Sequence, residues 1–296
     1  MKKITILSGK GGVGKSSILA SLAITISKEK DIICADCDVD ASNLALVLGA
    51  EKQEEWENLT TNKEAVFDLT KCNSCKKCFE ECYFKAIGWK DDKPYLKDFS
   101  CEGCGTCQIV CPQNAISLKE INNAKIGYSN TRYNFKVVSG QLNVGSSGSG
   151  KVVFKVRKKA EELSNNCNLM LIDSAAGIGC PVIASVSGTD HAIIITEPTP
   201  SGISDMKRAF KVVNHFKISC SIIINKWDIN EINSGKIEEF ANSKNISIIS
   251  KIPFDKKFAK ALTKMIPIII LDKNYEKIFL DIKEKLFKEI YKNEKI

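Results

Sequence analysis

Two runs of four cysteines, offset by 29 residues, constrain this chain more than any other feature. Cys72, Cys75, Cys78 and Cys82 recur as Cys101, Cys104, Cys107 and Cys111, and Ala86-Ile87 recurs as Ala115-Ile116. The spacing is C-x2-C-x2-C-x3-C, which wraps thiolates around cubane iron–sulfur clusters. Around the ladders, from about Gln53 to Ile121, the sequence is cysteine-rich, poor in apolar periodicity and interrupted by Pro94 and Pro112. An inserted domain is expected at about 64–120, leaving 1–63 and 121–296 for a second, larger one.

The chain has 296 residues, 44% hydrophobic and 26% charged. That is globular composition, long enough for one large α/β domain plus a small insert. Met1-Lys2-Lys3 followed by Ile4–Leu7 has the outline of an export signal, but the apolar part is too short and runs directly into glycines. A cytoplasmic chain is expected, and its thirteen cysteines then point to metal rather than to disulfides. The net charge is +8, yet only Arg132, Arg157 and Arg208 are arginine. Lysine is spread everywhere, without the arginine-bearing cluster of a nucleic-acid surface. Nucleic acid is not an expected partner, while the positive balance suits docking to an acidic redox protein.

Ahead of the ladders, Gly9-Lys10-Gly11-Gly12-Val13-Gly14-Lys15-Ser16 fits G-x-x-x-x-G-K-[ST], with Ser17 following. An apolar run, Ile4–Leu7, precedes it, and helical spacing from Lys15 to Lys28 follows, the context a phosphate loop needs. Glycines let backbone amides turn toward phosphates, and the helix N-terminus adds a favourable field. Lys15 is expected on the β- and γ-phosphates of ATP and Ser16 on Mg²⁺. Ile32–Ala35 reads as a second strand ending at Asp36, Asp38 and Asp40. Further on, Leu169–Ile172, Ala192–Thr196, Ser221–Ile224 and Ile246–Ile249 read as strands. Ser204–Phe216, Lys236–Asn242 and Asn274–Tyr291 read as helices, the last with Ile278, Ile282, Leu286 and Ile290 on one face. Lys125–Tyr128, Tyr133–Val138 and Val152–Val156 read as short strands, with Gly145–Gly150 a flexible loop. The pattern is α/β with a parallel sheet.

Lys10, early in the loop, resembles the second lysine of the deviant Walker A ATPases, the group of MinD, ParA, Mrp and the nitrogenase iron protein. The resemblance implies a parallel-sheet P-loop NTPase in which Lys10 reaches the phosphates of a partner subunit. ATP then closes a homodimer, or a heterodimer with a related ATPase. Asp36-Cys37-Asp38-Val39-Asp40 looks like the first switch. Asp38 matches the water-orienting acid of MinD-like members, Asp36 that of ParA-like members, and Asp40 the switch acid of the nitrogenase iron protein. Asp173-Ser174-Ala175-Ala176-Gly177 resembles the second switch. It implies Asp173 on Mg²⁺ through water and the Gly177 amide on the γ-phosphate, with Ala175 in place of the commoner proline. Asn225 matches the adenine-reading residue, and Pro253 and Asp255 the segment flanking the base.

The ladders resemble those of bacterial two-cluster ferredoxins, in which the fourth cysteine of each run crosses to the other cluster. This implies an inserted α+β ferredoxin-like domain with two [4Fe–4S] clusters. Cys72, Cys75, Cys78 and Cys111 would hold one, and Cys101, Cys104, Cys107 and Cys82 the other. Tyr83 stands where proline follows Cys111. A zinc-stapled module, or clusters that serve only as staples, are the alternatives. Cys167, Cys180 and Cys220 are too scattered for a cluster bridging two ATPase domains, and the C-terminal C-x-x-C of Mrp relatives is absent. Cys180 beyond the second switch, and the lone His191 and His215, read as structural. Three functions remain open. One is ATP-driven electron transfer between a redox donor and acceptor protein. Another is iron–sulfur assembly or delivery, as in Mrp relatives. The last is a positioning ATPase with a redox sensor, anchored by its C-terminal helix. That helix is expected on the sheet rather than on a membrane.

Overall fold

A computed structural model describes residues 1–50 and 55–292; the composition change near Gln53 lies outside them. Among the described residues eleven strands form, in chain order. They are β1 (Lys2–Ser8), β2 (Ile32–Cys37), β3 (Glu55–Phe67), β4 (Ile87–Lys90), β5 (Lys93–Leu96), β6 (Ile116–Asn130), β7 (Lys136–Leu142), β8 (Leu169–Ala176), β9 (His191–Thr196), β10 (Ser219–Asn225) and β11 (Ser247–Ile252). The helices are α1 (Lys15–Ser27), α2 (Leu44–Val47), α3 (Lys77–Glu80), α4 (Thr106–Ile109), α5 (Ser149–Leu163), α6 (Cys180–Val186), α7 (Pro200–His215), α8 (Glu231–Ser243), α9 (Lys256–Thr263), α10 (Ile268–Leu271) and α11 (Asn274–Ile290).

Nine strands make one sheet in the order β11-β10-β9-β1-β8-β2-β7-β6-β3. From β11 to β7 the pairs are parallel, and β6 and β3 run antiparallel. The parallel strands are near-continuous apolar runs because helices cover both faces. On one face α1 and α11 pack over Ile4, Ile6, Cys34 and Leu171. On the other, α5 covers Ile33, Ala35 and Ile172, while α7 and α8 cover Leu7, Ile194 and Ile222. In α11 the buried side chains are Tyr275, Phe279, Ile282, Lys283 and Leu286. The packed stripe is thus rotated from the expected one, with Ile278 and Ile290 at its edge. Among the described residues no helix is long and apolar enough to cross a membrane. His191 is buried between the hydroxyls of Ser219 (2.8 Å) and Ser221 (2.9 Å), and burial pushes its pKa down to about 4.

The expected strand Val152–Val156 is instead the first half of α5. Its β-branched run mimics a strand, but Val152, Val153, Val156 and Ala160 are spaced along one helical face, and all four are buried. Residues 145–150 are not a free linker. Gly148 caps α5, and a Cβ on Gly145 would stand 2.3 Å from the Phe99 ring.

β6 is longer than β7, which pairs only with Ala124–Asn130. The remainder of β6 pairs with β3 alone, as far as Phe67↔Ile116, and forms an arm whose tip carries the cysteines. The register slips between Leu59 and Asn62. There the buried Asn123 closes the bulge, accepting from the Thr61 amide (2.8 Å) and donating to Thr61 Oγ1 (2.9 Å) and the Ser147 carbonyl (2.8 Å). Lys151 in α5 adds a bond to the Thr61 carbonyl at 3.1 Å. The root of the arm is therefore held by the N-terminus of α5.

Candidate functional site

Strand register assembles the first part of the site. The glycine loop leaves β1 at the point where the neighbours diverge, β8 on one side and β9 on the other. Such a point opens a crevice at the carboxyl ends of the strands. Gly12 and Gly14 take positive φ (78° and 93°), and added Cβ atoms at Gly11 or Gly12 would meet nothing within 4 Å. The cradle is open where phosphates would lie. Lys15, the first residue of α1, is buried and hydrogen-bonds Asp173 Oδ1, with Asp38 Oδ2 at 3.9 Å. Burial opposes its charge, but Asp173, Asp38 and Asp36 outweigh burial and hold its pKa above the ordinary lysine value.

Asp173 pairs across the sheet with Ile6 on one side and Asp36 on the other. Its Oδ2 is buried and without a hydrogen-bond partner. A buried carboxylate oxygen with no partner is costly, and a hydrated Mg²⁺ beside the loop would satisfy it. The residues present therefore fit the cation.

The three switch acids part company. Asp36 is fully buried and accepts from the Ser42 hydroxyl (2.7 Å) and from the amides of Leu44 (2.9 Å) and Asp38 (3.2 Å). Burial and the neighbouring Asp173 push its carboxyl up to about 7. It staples the segment after β2 rather than facing the crevice. Asp38 is partly exposed and looks toward Lys15; burial, the first cause, raises its pKa although Lys15 opposes the rise. Asp40 is exposed.

Lys10 carries an unexpected partner. It pairs with Glu197 at 2.8 Å, and Lys226 pairs with the same carboxylate at 2.9 Å. Burial pushes Glu197 up, but the two lysines prevail and hold it below the usual carboxylate range. No motif flags Glu197; it reaches the loop only because β9 lies beside β1. Asn225 is buried at the end of β10 and donates to the Val13 carbonyl at 2.7 Å. Asp255 caps α9 and accepts from the Tyr275 hydroxyl at 2.8 Å, so its role here is to shape the chain after Pro253. The Gly177 amide donates to the Ser8 carbonyl at 2.9 Å. It is engaged with β1 and must leave that bond to meet a phosphate.

At the tip of the arm the sequence repeat becomes a conformational repeat. Ser74, Lys76 and Lys85 take positive φ, and so do Gly103, Gly105 and Asn114, each 29 positions later. Exposure repeats along each ladder as intermediate, exposed, buried, intermediate. The amides of Ala86 and Ala115 each donate to a sulfur, Cys82 and Cys111 respectively, both at 3.3 Å. Cys72, Cys75, Cys78 and Cys111 line one small cavity, and Cys82, Cys101, Cys104 and Cys107 line another. Each set takes three thiols from one ladder and one from the other. Among the described residues no three His, Cys, Asp or Glu side chains converge closely enough to hold a single metal ion. Four soft donors in each set suit a cluster with its own inorganic core.

The second cavity touches the arm. A Cβ on Gly103, where φ is +65°, would stand 2.3 Å from the Lys63 carbonyl oxygen. Gly103→Ala should therefore disturb the loop between Cys101 and Cys104, at about 1–3 kcal/mol for the strained backbone. If the two thiol sets hold iron, that at the Cys82/Cys101/Cys104/Cys107 set should become labile to chelator while the other set holds its own. Iron counts after chelation that match the unsubstituted protein would refute this close approach.

The model of the CobQ/CobB/MinD/ParA nucleotide binding domain matches residues 4–268. An uncharacterized protein of Methanocaldococcus jannaschii is 37% identical over 95% of this chain and 94% of its own length. An iron-sulfur cluster carrier protein of Pyrococcus abyssi is 25% identical over 97% of this chain and 86% of its own. Among solved structures, the septum site-determining protein MinD of Pyrococcus horikoshii, complexed with Mg-ADP, superposes with a TM-score of 0.60 at 17% identity. That match covers 96% of this chain and 95% of the other, and it speaks for the fold.

Proposed function

Since the chain belongs to the CobQ/CobB/MinD/ParA nucleotide-binding family of P-loop ATPases, we propose that it couples ATP hydrolysis in a dimer to electron transfer through two [4Fe–4S] clusters toward a redox partner. The observation that carries the redox half is the pair of four-thiol cavities at the tip of an arm rooted in the ATPase sheet. The cysteines hold the clusters as thiolates, which is what an inserted ferredoxin-like domain does. Clusters bound there supply one-electron chemistry. The Ala86 and Ala115 amides draw charge from the Cys82 and Cys111 sulfurs, a device that tunes potential.

In the ATPase half, Lys15 exchanges Asp173 for the β- and γ-phosphates, and Asp173 and Ser16 would hold the Mg²⁺ that neutralises phosphate charge. Asp38 is assigned to the attacking water, because it alone of the three acids both faces Lys15 and reaches solvent. Lys10 leaves Glu197 to reach phosphates across the dimer. The Gly177 amide leaves Ser8 and pulls on the segment leading into α6. A Cβ on Gly150 at the start of α5 would touch Cys180 of α6 at 3.4 Å, and α5 holds the root of the arm. Switch and thiol sites thus share one line of packed elements.

The carrier reading stays second, favoured by the likeness to iron-sulfur cluster carrier proteins. One anaerobic preparation separates the two. About eight iron and eight labile sulfide per chain are expected, with an EPR spectrum or dye-reduction rate that shifts on adding MgATP. Spectra and rates indifferent to MgATP defeat the coupling. Ready transfer of iron to an apo-protein favours the carrier.

A further inference from the structure

A broad groove of about 980 Å³ runs between α5 and α6, away from the glycine loop's cradle. Five of its lining side chains are basic and one, Glu161, is acidic. Lys3 already neutralises Glu161, at 2.6 Å. Arg157 turns inward and donates to the carbonyls of Ala184 (2.5 Å) and Ser187 (2.6 Å). That leaves the lysines of α5, Lys151, Lys155 and Lys158, exposed along one wall. Lys158 makes only a loose surface pair with Glu162 at 3.8 Å, a contact of little energy. Among the lysines stands Phe154, 63% exposed, and Ile183 of α6, 42% exposed, lines the same groove. A large aromatic left in water amid uncompensated positive charge marks a contact surface. At its upper end the groove shares Thr60, Thr61 and Lys151 with a cavity of about 350 Å³ that Gly103 and Cys104 also line, together with Lys63 and the carboxylates Glu102 and Glu120.

We propose that this groove docks an acidic protein, through a helix or strand whose carboxylates flank an apolar side chain. Charge complementarity selects that occupant. A second copy would bring another chain of net charge +8 to a positive surface. Nucleic acid fits poorly, because the one arginine present is spent on backbone carbonyls and Phe154 and Ile183 lend the groove an apolar surface. An aromatic anchor ringed by lysines matches the anatomy of a protein hot spot. Docked there, the partner lies beside the Cys104 loop and against the helix that follows the second switch. Only the inference that it exchanges electrons at that point rests on the proposed function.

The test uses the full chain and a fluorescein-labelled amphipathic peptide with glutamates on one face and leucines on the other. Its controls are the same peptide with glutamine for glutamate and a labelled DNA duplex. The glutamate peptide should bind, weaken as salt rises, and lose roughly tenfold or more in affinity to K155E/K158E and to Phe154→Ala. Basal ATP turnover should be unchanged in both variants, which shows them folded. The proposal is overturned if neither variant weakens the peptide, or if the glutamine peptide binds equally well. DNA binding with the same dependence on Lys155 and Lys158 also overturns it, as does a self-association that the variants abolish. The readout needs neither iron nor hydrolysis, so its failure and that of the electron-transfer reading are distinguishable.

Discussion

Lys15→Ala should lower ATP turnover by about two to three orders of magnitude, the scale on which losing one preorganised charge-stabilising donor acts. The lysine is the first residue of α1 and buried, so no neighbour can swing in to replace it. It also balances Asp173, whose second oxygen already lacks a partner. Removing the lysine leaves that carboxylate buried and unpaired, a loss of about 3–5 kcal/mol in the nucleotide-free protein. Calorimetry and a phosphate-release assay on the same preparation measure both effects. Turnover within a factor of about ten of the unsubstituted protein would remove Lys15 from the chemistry. The variant also tests coupling. Acceptor reduction that proceeds at an unchanged rate while hydrolysis has stopped would separate the two halves of the molecule.

The second large effect concerns which cysteines act together. On the proposed two-cluster function, Cys111→Ala and Cys82→Ala should each reduce bound iron from about eight to about four per chain. The informative comparison is between pairs. If the cavities define the ligand sets, Cys72→Ala with Cys111→Ala destroys one site only, and about four iron remain. Cys82→Ala with Cys111→Ala strikes both cavities and removes nearly all of it. Ladders that each bound their own cluster would instead leave the Cys72/Cys111 double variant with almost no iron, because those two cysteines then belong to different sites, while Cys82→Ala with Cys111→Ala empties both sites on either assignment. Iron counting under anaerobic conditions decides between the two outcomes.

Most of the parallel sheet was legible because its signals are local. Ile4–Leu7 and Leu169–Ile172 are apolar runs of strand length, and the glycines of the loop demand φ values that few other residues adopt. Val152–Val156 misled because five residues are too few to separate period two from period 3.6 when three are β-branched valines. The stripe on α11 was misplaced for a related reason. Its aliphatic residues suggest one face, while Tyr275 and Phe279, which carry more area, fix the rotation. Glu197 had no signal at all. It is an acid after an apolar strand, and only the neighbouring positions of β9 and β1 bring it to Lys10.

The switch acids show the limit most sharply. Asp36 and Asp38 lie two residues apart, so strand periodicity gives them the same side. The chain leaves the sheet after Cys37 and folds Ser42 and Leu44 back over Asp36. One carboxylate becomes a buried staple and the other faces Lys15.

By itself the sequence determined what depends on neighbours along the chain: a phosphate-binding turn between strand and helix, and two thiol ladders with matched spacing. Tertiary structure alone decided what depends on neighbours across space. It set Asp36 beside Asp173, gave Lys10 a carboxylate to rest on, gathered thiols from both ladders around each cavity, and opened the lysine-lined groove between α5 and α6. The physical reason is that spacing fixes which backbone conformations are cheap, whereas charge, burial and cavity shape arise from segments far apart in sequence, and strand order chooses which of those segments meet.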